Sequence, residues 1–291
     1  MAILGLQGAS VFSLIKNTAK NFIDDDMSTY AAALAYRALF SLFPFLLFLI
    51  AVLSFLNLGD FFDDLREQTL LVLPTTVQEL IDTVISDLRD GSNNIFSLAI
   101  LVAIAVASKG VRSLMNAMNK AYNITESRPA WKLIVLSVVY TVGTAMLLLF
   151  ATSLMVVGPQ TIEWLAGFVG LSELAANLWT WLRWPLAVLS LMLVVAILYY
   201  LMPDAEQQFR FITPGSVVAV IVWILASMGL STYVSNFGNY DVLYGGIGAM
   251  IVLMFFFYIS SAVLLLGAEL NATIEHASAQ GKAKGERQIE S

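Results

Sequence analysis

The chain has 291 residues, of which 59% are hydrophobic and 12% charged, against about 45–50% and about 25% in soluble domains. Together with a mean hydropathy of +0.80, this excludes a soluble enzyme domain and makes the bilayer the main solvent. The net charge of -6 therefore carries less information than the sidedness of Lys and Arg.

In chain order, residues 1–29 read as an amphipathic N-terminal helix. Val11, Phe12, Ile15, Ala19, Phe22 and Ile23 share a face opposite Lys16 and Lys20, which suits a helix lying in the membrane interface. The opening nine residues hold no Lys or Arg, so no secretory signal is expected. Asp24, Asp25 and Asp26 end this helix, and Ser28 or Thr29 is positioned to cap the next. A membrane domain is expected over 30–275, with spans at about 34–58, 95–107, 133–157, 185–202, 216–235 and 245–270. The second run has too few apolar residues to cross about 30 Å of hydrocarbon. It must recruit polar flanks, meet a thinned bilayer or be sheltered by neighbours.

Between the first two spans, a segment at 60–90 carries a capping box, Thr76 with Glu79. Val77, Leu80, Ile81, Val84, Ile85 and Leu88 follow at helical spacing. The 160–182 segment, with Trp164, Trp179 and Trp181, resembles an interfacial belt. Residues 276–291 read as a disordered tail.

Lys16, Lys20 and Arg37, the five cations of 108–132, Arg210, and the three cations of the tail fall on one side of this arrangement. Arg66, Arg89 and Arg183 fall among the acids of the other. The predicted fold is thus all-α: a polytopic protein of six transmembrane helices plus amphipathic helices, with both termini cytoplasmic.

The chemistry available is narrow. No cysteine and a single histidine, His276, exclude disulfides, thiol nucleophiles and imidazole clusters, and no metal or cofactor is implied. There is no P-loop, HExxH or GxSxG sequence, so neither ATP hydrolysis nor catalysis in general is expected. Intramembrane polar residues are the better clue, since buried charge in hydrocarbon is costly. Tyr30, Arg37, Ser41 and Pro44 share one face of the first span. Pro44 frees the carbonyl of Phe40, and this face reads equally as a cavity wall or as a snorkelling arginine beside a packing kink.

Lys109, Arg112, Asn116, Asn119 and Asn123 form a polar stripe opposite Val111, Leu114, Met115, Met118 and Tyr122. The stripe suits an anionic headgroup or a solvated helix face. Tyr258, Ser261 and Glu269 share a face of the last span. Glu269 calls for a basic partner, with Arg37, Lys109 and Arg112 at similar depth, as an ion pair or as a gate. Arg183 stands at an outer span entrance, and the small-residue runs, such as Ser227, Ser231 and Ser235, permit a homo-oligomer without demanding one.

Ala31 to Pro44, Ser108 to Tyr122 followed by Glu126, Arg128 and Pro129, and Leu182 to Pro185 resemble the YihY/virulence factor BrkB family, long labelled ribonuclease BN-like. The likeness is strongest from Tyr200 onward, at Pro203, Pro214, Gly215, Tyr233, Asn236, Tyr240, Tyr244, Gly245 and Gly267 to Asn271. The resemblance implies a six-span protein of the bacterial cytoplasmic membrane with both termini inside. The leading expectation is a transporter or lipid translocase without its own ATPase, moving an anionic amphiphile or solute along a seam between the first, second and sixth spans. Arg37, Ser41, Pro44, Lys109, Arg112, Asn116, Asn119, Tyr258 and Glu269 would bind or gate, and Arg183 would receive headgroups outside. Expected partners are membrane lipids rather than nucleic acid. The alternatives are an envelope scaffold that recruits a protein partner through its external helices and, last, a membrane-bound ribonuclease.

Overall fold

The computed structural model describes residues 10–55, 93–156, 172–205, 212–236 and 246–277. The expected helix at 60–90, Trp164, the segment around Tyr240 and the tail beyond 277 lie outside them. Among the described residues the chain is all-helical: α1 (Val11–Asp24), α2 (Met27–Phe55), α3 (Asn93–Ala121), α4 (Ala130–Val156), α5 (Ser172–Leu201), α6 (Pro214–Asn236) and α7 (Gly246–Ala277).

Among the described residues, four stretches are long and apolar enough to cross a membrane: Ala130–Leu148, Asn177–Leu201, Pro214–Val234 and Met250–Ala277. Helices α2 and α3 have 29 residues each, about 44 Å at 1.5 Å per residue. The short apolar run of α3 is therefore not a short helix. It continues without a break through the polar stretch after Ser108, and Met115, Ala117, Met118 and Ala121 of that extension are buried, so neighbouring helices shelter it. The proline at 185 likewise lies inside α5 rather than at its start. The backbone of α2 stays helical through position 44, whose side chain lies outside the described residues.

Local chemistry sets the turns. Ser10 caps α1, its hydroxyl accepting from the Ser13 amide at 3.1 Å. The turn into α2 is made by Asp26, at φ 56°, a left-handed conformation that Asp tolerates better than most residues. The Thr29 hydroxyl donates to the Asp26 carboxylate at 3.0 Å. The second helix thus starts at Met27, and the residue holding its first turn is Asp26 instead of Ser28 or Thr29. Helix α3 ends in a Schellman motif: Asn123, at φ 57°, donates to the Lys120 carbonyl and Ile124 to the Asn119 carbonyl at 2.9 and 2.8 Å. Asn123 is therefore the residue that stops the helix, and the polar stripe ends before it.

Helix α2 packs against α3 and α7, α7 also against α6 and α1, and α3, α4, α5 and α6 follow one another around the bundle. Polar contacts described below gather the starts of α2, α4 and α6 and the ends of α3, α5 and α7 at one end, so these six helices alternate in direction. The core sits at that end, with Met27, Met115, Met118, Tyr199, Met202 and Leu265 fully enclosed. By contrast, only 6% of Ala130–Leu148 is buried, and Trp131, Ile134, Val135, Val139 and Met146 of α4 are exposed. A helix apolar all round that shows such a face to the outside is solvated by hydrocarbon. The hydroxyls of Ser137 and Thr141 on α4 donate to the carbonyls of Ile134 and Ser137 at 2.8 and 2.6 Å, which satisfies them within the helix itself.

Candidate functional site

The gathered end is built from three polar assemblies. The first joins α1, α3 and α7. Glu269 of α7 is fully enclosed, at 0% exposure. Lys120, at the end of α3, makes a 3.1 Å ion pair with Asp25, the residue closing α1. The Lys120 ammonium is held above its ordinary value of 10.5, first by the hydrogen bond and charge of Asp25 and then by smaller contributions that include the charge of Glu269. Asn21 of α1 donates to the Thr273 hydroxyl of α7 at 3.2 Å. A cation whose charge interacts with Glu269 is thus Lys120, a residue that its sequence position alone does not mark out. Its spacing, one turn after Asn116, is the partial signal available.

The second assembly ties the α3–α4 connection to the end of α5. Glu126 takes a two-pronged bond from Arg128, at 2.7 and 2.8 Å, and a third from the Asn119 amide at 2.8 Å. The Asp204 amide donates to the Asn119 side-chain oxygen at 2.6 Å. The Asp204 carboxylate accepts from the Ser127 amide and hydroxyl and lies 3.6 Å from Arg128, which also donates to the Met202 carbonyl. Burial alone would push the Glu126 carboxyl up, but the bonds from Arg128 and Asn119 outweigh it and hold the group below its ordinary 4.5. Burial works the other way on Arg128, and the charges of Glu126 and Asp204 overcome it. Asn119, expected on a headgroup-facing stripe, is 3% exposed with both ends of its amide bonded within this junction. Its chemistry is that of a latch.

The third assembly joins α5, α6 and α7. The Gly215 amide donates to the Asn271 side-chain oxygen at 2.8 Å, and the Asn271 amide donates to the Thr213 hydroxyl at 3.1 Å. Tyr199 donates to the Leu264 carbonyl at 2.7 Å. A Cβ added to Gly215 would strike the Gly267 carbonyl and lie 2.6 Å from the Asn271 side chain. One added to Gly267 would strike the Tyr199 hydroxyl and lie 2.7 Å from the Gly215 carbonyl. Two glycines facing each other are what lets these backbones touch.

Among the remaining predicted residues, the Arg37 guanidinium of α2 donates to the Lys109 carbonyl of α3 at 3.1 Å, next to Gly110, whose missing side chain faces Arg37. Arg37 and Lys109 are both exposed, as is Asn116, while Arg112 is half-buried on the same helix. A guanidinium has five N–H donors, and this bond engages one nitrogen. The Ser41 hydroxyl turns back to the Ala38 carbonyl at 2.8 Å. Tyr258 packs at the edge of the core, about 16 Å along α7 from Glu269 at 1.5 Å per residue.

Arg183 stands apart. It lies about 27 Å along α5 from Leu201 by the same rise, close to one bilayer thickness. Its guanidinium carbon is 5.6 Å from the Trp184 ring, its Nε is enclosed without a hydrogen-bond partner among the described residues, and Trp181 and Trp184 are exposed beside it. An apolar groove of about 550 Å³ between α6 and α7, lined by Gly229, Tyr233, Ile251 and Phe255 among others, lies in the halves of these helices remote from the gathered end.

Apolar helices of spanning length and an outward face of hydrocarbon-compatible side chains, with the charged assemblies of several helices gathered at one end, define a multi-pass helical membrane protein. The sequence profile of the virulence factor BrkB family matches residues 18–290, and the chain belongs to that family. Its relatives include the ribonuclease-like protein YfkH of Bacillus subtilis, 33% identical over 90% of this chain and 95% of its own length. A UPF0761 membrane protein of Pseudoalteromonas translucida is 27% identical over 87% and 82%. Another from Alteromonas mediterranea is 23% identical over 90% and 87%. No solved structure matches the chain.

Proposed function

We propose that this protein crosses the bacterial cytoplasmic membrane six times with both termini inside, and that it moves an anionic amphiphile or solute without hydrolysing ATP. The observation that carries the proposal is the enclosed carboxylate of Glu269 in a membrane-spanning helix, within the field of the Lys120–Asp25 pair supplied by two other helices. Ionisable groups kept inside a membrane bundle are costly, and their usual reason is a path for charge or substrate. The packing of α2, α3 and α7 against one another supports a seam between these helices. In this reading Arg37, Lys109, Arg112 and Asn116 meet the anionic group at the cytoplasmic mouth of the seam. Glu269 gates it, and Tyr258 and Ser41 line it further out. Arg183, between exposed tryptophans about one bilayer away, receives the headgroup on the other side. The six-span topology is supported by the alternation of α2 to α7 and by the excess of Lys and Arg on one side. The protein is not an enzyme in this reading, and the ribonuclease in the name of the Bacillus relative does not extend to it.

The test is transbilayer movement of labelled anionic lipid in sealed liposomes holding the purified protein. Wild-type protein is expected to move lipid above empty liposomes, and Arg112→Ala and Arg183→Ala to suppress that movement while remaining folded. No movement by folded wild-type protein would turn the reading toward a small anionic solute or an envelope scaffold. Unchanged movement in either variant would remove that arginine from the path.

A further inference from the structure

Helix α1 has three faces where an ordinary amphipathic helix has two. Leu14 and Thr18 are buried, Asn21 bonds to Thr273 and Asp25 to Lys120. At 100° per residue these four make one narrow sector, and it is the one docked on the bundle. Most of the apolar sector lies beside it and is not docked: Phe12 is 76%, Ile15 61% and Ile23 75% exposed, with Val11 and Ala19 also exposed, while Phe22, on the side nearer the docked sector, packs against the core. Lys16, Asn17 and Lys20 form the third sector, the two lysines at its border with the apolar one.

A helix that folds onto its own protein through a small, partly polar sector and one flanking phenylalanine, leaving Phe12, Ile15 and Ile23 outside, has most of its hydrophobic face uncovered by the fold. Two observations identify what covers it. The helix docks at the last turn of α7 and the end of α3, where the apolar outer surface of the bundle gives way to polar contacts, so its apolar sector continues the hydrocarbon-facing surface at headgroup depth. The lysines along one edge of that sector match the phosphates of an anionic leaflet, since cationic side chains bordering an inserted apolar face are the pattern of interfacial helices. Asp24 and Asp26 lie at the far end, where the chain turns into the bundle.

We infer that α1 is a membrane-surface anchor, inserting Phe12, Ile15 and Ile23 into the leaflet bordering this end of the bundle while Lys16 and Lys20 bind anionic headgroups. This goes beyond the transport reading and stands if that reading fails. The same helix presents Asn21 to Thr273 and Asp25 to Lys120, so lipid held by one face of α1 bears on contacts made by another.

The chain has no cysteine, so a single fluorophore can be placed at will in the full-length protein. Phe12→Cys and Asn17→Cys, each labelled with an environment-sensitive dye, would be reconstituted in vesicles of phosphatidylcholine with and without phosphatidylglycerol. Both sites are exposed, so neither substitution disturbs the core. The Phe12 label is expected to be quenched several-fold more strongly than the Asn17 label by nitroxide on the upper acyl chain, and the Asn17 label more strongly by aqueous iodide. Adding Lys16→Glu with Lys20→Glu should lower acyl-chain quenching of the Phe12 label several-fold in vesicles containing phosphatidylglycerol and leave it unchanged in phosphatidylcholine alone. Equal iodide quenching at both sites would overturn the insertion. Energy transfer between Phe12 labels on separate molecules, without acyl-chain quenching, would overturn it in favour of a second copy of the chain. Indifference of the double-charge variant to phosphatidylglycerol would overturn the role of the lysines.

Discussion

The gathered end of the bundle and helix α4 are held by different forces. At the gathered end, Asn119, Glu126, Arg128, Asp204, Asn271 and the facing glycines Gly215 and Gly267 lock helix termini through short bonds and backbone contact. Along α4 a broad face points outward while Leu133, Leu136 and Tyr140 touch the core, polar hydroxyls are satisfied inside the helix, and little is enclosed. In hydrocarbon, apolar contact between helices gains little over contact with lipid. Specific geometry must therefore come from close backbone approach and polar bonds, and both are concentrated at one end. The cost of such an arrangement is tolerable only where water or other polar groups are near. That is why the latches sit at helix ends, and why Glu269, enclosed among them, is the exception to explain.

Four predictions sharpen this contrast. The largest effect belongs to the glycine pair. Gly215→Ala or Gly267→Ala drives a methyl into backbone or the Tyr199 hydroxyl and should cost about 3 kcal/mol or more, read as loss of monodisperse protein and a fall in Tm in detergent. Gly143→Ala and Gly229→Ala, where an added Cβ meets nothing within 4 Å, should leave Tm unchanged or raise it slightly. Equal losses in all four would break the claim that backbone contact at the gathered end is special.

Next, Arg128→Ala leaves Glu126 and Asp204 without their shared cation and should cost about 3 kcal/mol, as broken enclosed pairs do. Chemical denaturation is the measurement, and the double substitution with Glu126→Gln should recover part of the loss.

A smaller effect is expected with pH. Because folding holds the Glu126 carboxyl below its ordinary 4.5, the stability it contributes is complete above that pH and is lost as pH falls through the lowered folded value. Thermal melts across the acid range should fall for the wild-type chain and less steeply for Glu126→Gln. Lys120 works in the opposite sense, its contribution complete below 10.5 and lost above. The smallest effect is expected on α4. Val139→Ala or Met146→Ala, both facing outward, should change stability by about 0.5 kcal/mol or less.

Much of the fold is legible in the residues, because the demand for long apolar helices is written in composition. The expected spans at 133–157 and 216–235 fall on α4 (Ala130–Val156) and α6 (Pro214–Asn236). Less legible is where each helix starts and stops. The stretch from Ser108 to Ala121 and the segment before Pro185 are both helical. In the first, Asn119 finds its partners in Glu126 and Asp204 of neighbouring connections, and such tertiary bonds leave no periodicity to read. The site is less legible for the same reason. Glu269 stands out as a lone carboxylate in an apolar run, but Lys120 and Asp25 look like ordinary surface charges until α1 folds back onto α7. The adjacency of Arg37 and Lys109 is likewise a property of α2 against α3, not of either segment. Pro203, Gly215 and Asn271, quoted as part of a family pattern, acquire a physical reason only when Asp204 meets Asn119 and Gly215 meets Gly267.

The most direct test separates gate from latch. Wild-type protein, Glu269→Gln and Asp204→Asn would be reconstituted at equal folded amounts, and transbilayer movement of labelled anionic lipid measured alongside Tm. The account predicts that Glu269→Gln retains its fold and slows movement about tenfold, equivalent to about 1.4 kcal/mol, while Asp204→Asn lowers Tm and moves lipid at the wild-type rate per folded molecule. Wild-type movement by Glu269→Gln, with the loss appearing instead in Asp204→Asn, would contradict it.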